Sequence, residues 1–154
     1  MTQHRFGLWN KGWVIITLAL VLALLATGCS ELNENAVFVT RVIDGDTIEI
    51  ASGHRVRYIG IDTPERGEPY YWEALNANRA LVEGKKVRLE RDTEDKDKYG
   101  RLLRYVWVDD TMVNAELVRL GYAYSRFYPP NLKYQTHLLQ LEEEAREQKL
   151  GLWS

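Results

Sequence analysis

The sequence predicts an α+β domain, mainly β: a small closed barrel of five strands with about three helices. Two observations carry that prediction. Five short runs rich in β-branched and aromatic residues are set apart by turn signals, and three further stretches space their apolar residues for helices. The chain has 154 residues, room for one domain at roughly 100–200 residues per domain. Apolar residues make up 45% and charged residues 27%, a balance that supports a packed core and excludes whole-chain disorder.

The first strand is Val37-Phe-Val-Thr-Arg-Val-Ile43, closed by Asp44-Gly45, a tight-turn pair. Thr47-Ile-Glu-Ile-Ala51 returns, and Ser52-Gly53 turns again. His54 to Ile61 is the third strand, with Val56 and Tyr58 alternating against Arg55 and Arg57. Thr63-Pro64 stops it. From about Tyr70 to Glu83 the spacing of Leu75, Ala77, Leu81 and Val82 suits a helix, and Gly84 ends it. Lys86-Val-Arg-Leu-Glu-Arg91 alternates as a fourth strand, Asp92 to Gly100 is a charged loop, and Leu102 to Val108 is the fifth strand. Val113 to Leu120 is a short helix ended by Gly121. Residues 132–149 read as a long helix with Leu138, Leu141 and Ala145 on one face. Glu142 and Arg146 stand at a favourable i, i+4 spacing, and the Glu142–Glu144 run reads as a solvated face. Five strands interleaved with helices in so short a chain suit the five-stranded OB-fold barrel.

The N-terminus is built differently. Residues 1–28 carry Arg5 and Lys11 and no acid, and Val14 to Leu25 is almost wholly aliphatic. Basic residues, an apolar stretch of about a dozen residues and then small residues make the layout of a secretory signal; a full membrane span needs roughly 20. Residues 1–28 are therefore expected to be a signal peptide, 29–36 a lipidated cysteine and polar tether, and 37–154 the barrel domain. The segment Leu24-Leu-Ala-Thr-Gly-Cys29 resembles the lipobox of bacterial lipoproteins, although Ala26 stands where leucine is usual. That resemblance implies a lipid on Cys29, holding the domain at the cell membrane or outer membrane, outside the cytoplasm. An uncleaved membrane-spanning anchor is the competing reading.

Composition removes several function classes. A single cysteine excludes an internal disulfide framework and a cysteine zinc ribbon. His4, His54 and His137 are too scattered to argue for a multi-histidine metal site. A net charge of -2 and a pI near 6.0 exclude a strongly basic nucleic-acid coat protein. Without residues 1–28, two of the 20 basic residues are gone; 18 face 22 acidic ones, for a net charge of -4. Any nucleic-acid contact must use a local basic patch.

Three short stretches concentrate acids and arginines: Ile43-Asp-Gly-Asp-Thr47, Arg57-Tyr-Ile-Gly-Ile-Asp-Thr-Pro-Glu65, and Asp97-Lys-Tyr-Gly-Arg101. Each alone reads as turn chemistry. Together they suit the hydrolysis of a phosphodiester, an anion whose cleavage builds charge on phosphate oxygens. A hard cation prefers oxygen ligands, which Asp46 and Asp62 offer. Guanidiniums grip phosphate in two-pronged fashion and stay charged, which suits Arg57 and Arg101. Glu65 can act on the attacking water. The barrel must bring these residues together.

At those residues the sequence resembles the staphylococcal-nuclease (thermonuclease) family. The likeness runs from about Val39 to Trp153. Its anchors are the 43–47, 61–65 and 97–101 pieces, with Met112-Val-Asn-Ala-Glu-Leu-Val-Arg119 and Lys149-Leu-Gly-Leu-Trp-Ser154. The resemblance implies an OB-fold enzyme that uses calcium (Ca2+) to cleave DNA and RNA, leaving 3′-phosphate ends and preferring flexible or single-stranded substrate. It implies carboxylate ligands at Asp46 and Asp62 and a backbone carbonyl ligand at Thr63. It implies a general base at Glu65, and phosphate binding by Arg57 and Arg101. Asp44 matches an acid near the metal. The resemblance places substrate contacts at Tyr99, Arg126 and Tyr128. Arg126 stands where the best-known member has a tyrosine, and the segment Arg66-Gly-Glu-Pro-Tyr-Tyr-Trp72 is shorter than that member's basic loop. His137 matches a helix position with no catalytic part and reads as packing or surface.

Two other classes compete. A non-catalytic OB-fold module that binds single-stranded nucleic acid or protein would not need Asp46, Arg57, Asp62, Glu65 and Arg101 together. Nor would a structural envelope lipoprotein.

Overall fold

A computed structural model of the chain describes residues 36–154. The expected signal segment, Cys29 and all of the tether except Ala36 lie outside the described residues. Strands β1 (Ala36–Val42), β2 (Thr47–Ile50) and β3 (Arg55–Tyr58) form the antiparallel meander, with Ile48 opposite Val56 and Thr47 opposite Arg57. A two-residue β4 (Ile61–Asp62) and helix α1 (Tyr71–Val82) follow, and then strands β5 (Lys86–Glu90) and β6 (Leu102–Val108). Strand β5 lies between β1 and β6, and β6 returns to β3 in parallel, with Val56 opposite Leu102. That last pairing closes the five-stranded barrel. Val39, Ile48, Val56, Val87 and Val106, one from each barrel strand, are buried at its centre. This is the inward half of the period-two alternation.

The rest of the chain is β7 (Thr111–Met112), α2 (Val113–Arg119), β8 (Tyr124–Ser125), α3 (Gln135–Glu147) and a terminal 3-10 turn (Gly151–Trp153). Among the described residues no helix is long and apolar enough to cross a membrane. Strands β7 and β8 are too short to leave a pattern in the sequence.

Three departures from the expected elements bear on function. The third strand ends at Tyr58 instead of Ile61, because Gly60 turns the chain with a φ of +79°. Ile61 and Asp62 leave the barrel sheet and pair with Ser125 and Tyr124 of β8. Buried Asn114 pins the turn from α2: its Nδ2 donates to the Ile59 carbonyl at 2.9 Å, and its Oδ1 accepts the Val106 N–H at 2.9 Å.

Helix α3 starts at Gln135, three residues later than its apolar spacing predicts. Polar ties claim the residues ahead of it. The Lys133 N–H donates to Asp92 Oδ2 at 3.0 Å, the Tyr134 hydroxyl to Glu90 Oε1 at 3.0 Å, and the Lys133 ammonium pairs with Glu90. Glu142 is not the solvated residue its acidic run predicts. One carboxylate oxygen pairs with Arg146 at 3.0 Å, as the spacing foresees, and the other accepts the Ser125 N–H at 3.0 Å, fastening β8 to the helix.

Gly60 is the least replaceable residue of the turn. A Cβ there would lie 2.8 Å from Leu138 Cδ1 and 2.9 Å from Phe127 Cε1, in a backbone conformation that side chains disfavour. Gly60→Ala is expected to lower the unfolding free energy by about 2–4 kcal/mol, combining left-handed strain with overpacking. Urea unfolding of the two proteins measures it.

Candidate active site

The loop between β1 and β2 presents Asp46, which is buried. The Asp44-Gly45 pair owes its glycine to close approach. Gly45 is not among the glycines of positive φ, and a Cβ on it would meet Thr63 Oγ1 at 2.6 Å. Thr63 thereby reaches Asp46 Oδ2 twice, donating its N–H at 2.9 Å and its hydroxyl at 3.1 Å. Asp46 Oδ1 accepts the Thr47 hydroxyl at 3.1 Å and faces Arg57 Nε at 3.2 Å. Asp46 thus accepts three hydrogen bonds and pairs with one guanidinium.

Arg57, on β3, is the meeting point of the site. Its Nη2 donates to Asp62 Oδ1 at 2.7 Å while Nε faces Asp46. Its Nη1 donates to the carbonyls of Tyr58 at 2.7 Å and Ile61 at 2.8 Å, gripping both sides of the Gly60 turn. One guanidinium therefore serves two carboxylates. Burial raises the carboxyl of Asp46 above its ordinary range; Arg57 opposes that and Asp44 adds to it. Asp62 is raised for similar reasons: burial first, countered by Arg57, reinforced by Asp46 and eased by Arg126.

Thr63 is buried and Glu65 exposed on the loop that leads from β4 toward α1. The Glu65 N–H donates to Glu68 Oε2 at 2.7 Å, and the Glu68 N–H returns to the Glu65 carbonyl at 2.9 Å. These bonds fix the backbone of Glu65. Its carboxylate has no hydrogen bond or ion pair among the described residues and faces solvent.

Arg57, Tyr99, Arg101, Arg126 and Tyr128 share the wall of one cavity of about 530 Å³. Asp97, Lys96, Lys98, Glu94 and Asn131 complete its polar lining. Asp46, Asp62, Thr63 and Glu65 are not part of that wall, and Arg57 is the link between the two groups. Arg101 is oriented by Asp97, whose Oδ2 accepts its Nε at 2.6 Å and whose Oδ1 accepts the N–H groups of Arg101 at 3.0 Å and Tyr99 at 2.9 Å. Burial acts to raise Asp97, but those donors outweigh it and hold the carboxyl below its ordinary range. Arg126 is placed by its N–H, which donates to the Gly60 carbonyl at 2.9 Å. Among the described residues its guanidinium has no carboxylate partner within ion-pair distance. Tyr99 and Tyr128 expose most of their surface.

Residues 55–154 match the family described as Staphylococcal nuclease homologue. The chain belongs to the staphylococcal nuclease family. The thermonuclease of Staphylococcus intermedius is 38% identical over 162 residues, spanning 94% of this chain and 96% of that protein. The thermonuclease of Staphylococcus hyicus is 36% identical over 164 residues, spanning 94% and 97%. Endonuclease YncB of Bacillus subtilis (strain 168) is 41% identical over 129 residues, spanning 77% of this chain and 61% of that protein. These likenesses support a hydrolase that acts on phosphodiester bonds.

In this staphylococcal nuclease homologue the donor set suits a hard cation in charge and chemistry. Asp46 and Asp62 share one guanidinium, so a negative charge is left over where they meet. All the available ligands are oxygens, as a hard cation prefers. Among the described residues no three carboxylate, imidazole or thiolate side chains cluster; Asp46 and Asp62 are the two carboxylates that meet at Arg57.

The sequence patterns missed Asp97 as the orienter of Arg101, although the D-x-x-G turn spacing marks it as an aspartate that bonds forward to the backbone. They also missed the hydroxyls of Thr47 and Thr63 as partners of Asp46, and Asn78, which reaches the same loop from α1.

The raised Asp62 gives a signed expectation. Its ionised form weakens the fold as pH rises through the raised value, and that cost is absent below the ordinary carboxylate range near about pH 4. Asp62→Asn keeps an oxygen for Arg57 and is expected to raise the melting temperature at neutral pH in chelator. The gain should close as the pH falls to roughly 3.5. Circular-dichroism melts at both pH values check this; a lower melting temperature at neutral pH would mean that attraction to Arg57 outweighs burial.

Proposed function

We propose that this chain is a calcium-dependent endonuclease that hydrolyses DNA and RNA, leaves 3′-phosphate ends and works while tethered outside the cytoplasm. One observation carries the reading: Arg57 touches both Asp46 and Asp62 while sharing a cavity wall with Arg101. Carboxylates for a cation and guanidiniums for a phosphate thereby meet at one side chain.

When bound, calcium supplies positive charge at the phosphate, held by Asp46, Asp62 and the Thr63 carbonyl. Arg57 and Arg101 donate to the phosphate oxygens and stabilise the charge that grows there. Asp97 keeps Arg101 aimed. Glu65, exposed on its fixed loop, takes a proton from the attacking water. The water oxygen bonds to phosphorus, the bond to the 5′ oxygen breaks with its electron pair going to that oxygen, which takes a proton from solvent, and Glu65 gives its own proton back to water; the phosphate stays on the 3′ side. Exposed Tyr99 and Tyr128 offer faces on which unpaired bases stack, which favours flexible or single-stranded substrate. Arg126, free of carboxylate partners among the described residues, brings positive charge to the same wall. Anchoring rests on the lipobox-like segment at Cys29.

One observation favours a second reading, a non-catalytic module that binds single-stranded nucleic acid. Asp46 already accepts three hydrogen bonds from Thr47 and Thr63 and pairs with Arg57, and so can serve as a brace alone.

The full chain, in detergent, incubated with plasmid, single-stranded DNA and RNA separates the two. Digestion is expected with calcium and not with chelator. Glu65→Ser and Arg101→Gly should each lower kcat by about 10²–10⁴-fold. Intact substrate at micromolar protein would favour the binding module. For the anchor, Cys29→Ala is expected to move the protein to soluble fractions; continued tight membrane association would point to a spanning segment.

A further inference from the structure

The loop that carries Asp46 is held from behind by a side chain that belongs to no recognised motif. Asn78 lies in the middle of α1 and is fully buried. Its Nδ2 donates to the backbone carbonyl of Asp44 at 2.9 Å. Its Oδ1 accepts the hydroxyl of Tyr58 at 2.9 Å. Tyr58 follows Arg57 on β3, and its N–H donates to the Asp46 carbonyl at 2.9 Å. Asp44 closes the loop, its Oδ1 accepting the Asp46 N–H at 3.0 Å. The Asn78 amide therefore joins the loop that presents Asp46 to the strand that presents Arg57. The helix that bears it follows directly on the Glu65 segment.

An apolar residue at this depth would fill the same space. An amide fixes the direction of a carbonyl and a hydroxyl at once; the carbonyl belongs to Asp44, two residues before Asp46, and the hydroxyl to Tyr58, next to Arg57. We infer that Asn78 is a positioning residue for the cation site. By fixing the 44–46 loop against Tyr58, it sets where the Asp46 carboxylate stands relative to Arg57 and Asp62. This deepens the calcium reading given above and rests on it. Outer partners that orient a metal's ligands typically change affinity or activity by about 10–100-fold when lost.

The test is calcium binding by the full chain, measured by calorimetry without nucleic acid at a temperature where every variant is folded. Asn78→Ala is expected to weaken calcium binding by about 10-fold. Val82→Ala, a cavity in the same helix at a buried residue with no polar side chain, should leave the affinity within roughly twofold despite its cost to stability. Tyr58→Phe removes the hydroxyl that aligns the amide while keeping the ring. It should weaken binding in the same direction by a smaller factor, and it carries the test if Asn78→Ala fails to fold. Unchanged calcium affinity in Asn78→Ala, or in Tyr58→Phe where that carries the test, overturns the inference. So does an equal loss in Val82→Ala. A wild-type chain that takes up no calcium sinks the calcium reading and this inference together; wild-type uptake with unchanged variants sinks this inference alone.

Discussion

Arg57 is one guanidinium with four intramolecular partners: two carboxylates, Asp46 and Asp62, and two carbonyls, Tyr58 and Ile61. The site depends on this arrangement more than on any other. It holds both sides of the Gly60 turn and brings two acids, one from the β1–β2 loop and one from β4, to one charge. A buried ion pair of this kind adds little net stability, because desolvation consumes most of the attraction. Removing Arg57 is different, since it leaves both carboxylates without compensation. Arg57 is therefore better understood as specifying where the acids stand than as strengthening the fold. The barrel supplies the strength: its five central valine and isoleucine positions are buried independently of any charge.

Much of this was legible in the sequence, and the reasons differ by level. The barrel strands were legible because burial on one face imposes a period of two, and Val56 and Tyr58 against Arg55 and Arg57 display it. The stretch 59–61 misled because Ile-Gly-Ile is apolar whether it continues a strand or turns out of it. Only Leu138 and Phe127, both distant in sequence, decide the matter, because they leave no room for a Cβ at residue 60. The start of α3 misled for a related reason. Leu132-Lys-Tyr134 fits a helical spacing locally, but the acids that claim Lys133 and Tyr134 lie on and just after β5. Local propensity yields where a distant polar partner is stronger.

The site was legible as a list of residue types and much less as an arrangement. Asp46, Arg57 and Asp62 are in contact, and Arg101, Arg126, Tyr99 and Tyr128 share a wall with Arg57. No sequence pattern shows that Gly45 exists to admit Thr63, since Asp-Gly is equally a hairpin turn. Nor does one show Asn78, because nothing in the spacing of Asn76 and Asn78 tells which of the two helix asparagines is buried. Side chains that act on reacting groups come in combinations that chemistry can recognise. Those that orient them are known only by what they touch.

The charge pattern resolves an apparent conflict between an acidic chain and a polyanionic substrate. At physiological salt the Debye length is about 8 Å, so exposed acids across the molecule are largely screened from a phosphate in the cavity. What the phosphate meets is the local set. There Asp97 is spent on Arg101, Glu94 is engaged by Asn131 at 2.9 Å, and Arg126 has no acid of its own among the described residues. The neighbouring acids are the reverse case, with Asp46 and Asp62 sharing the single guanidinium of Arg57. A surplus of cation and a surplus of anion thus stand side by side, joined at Arg57. Neither surplus helps the chain fold, and burial makes the anionic one costly. Charge kept uncompensated in a folded protein is charge available to something else, and a phosphate beside a divalent cation satisfies both halves at once.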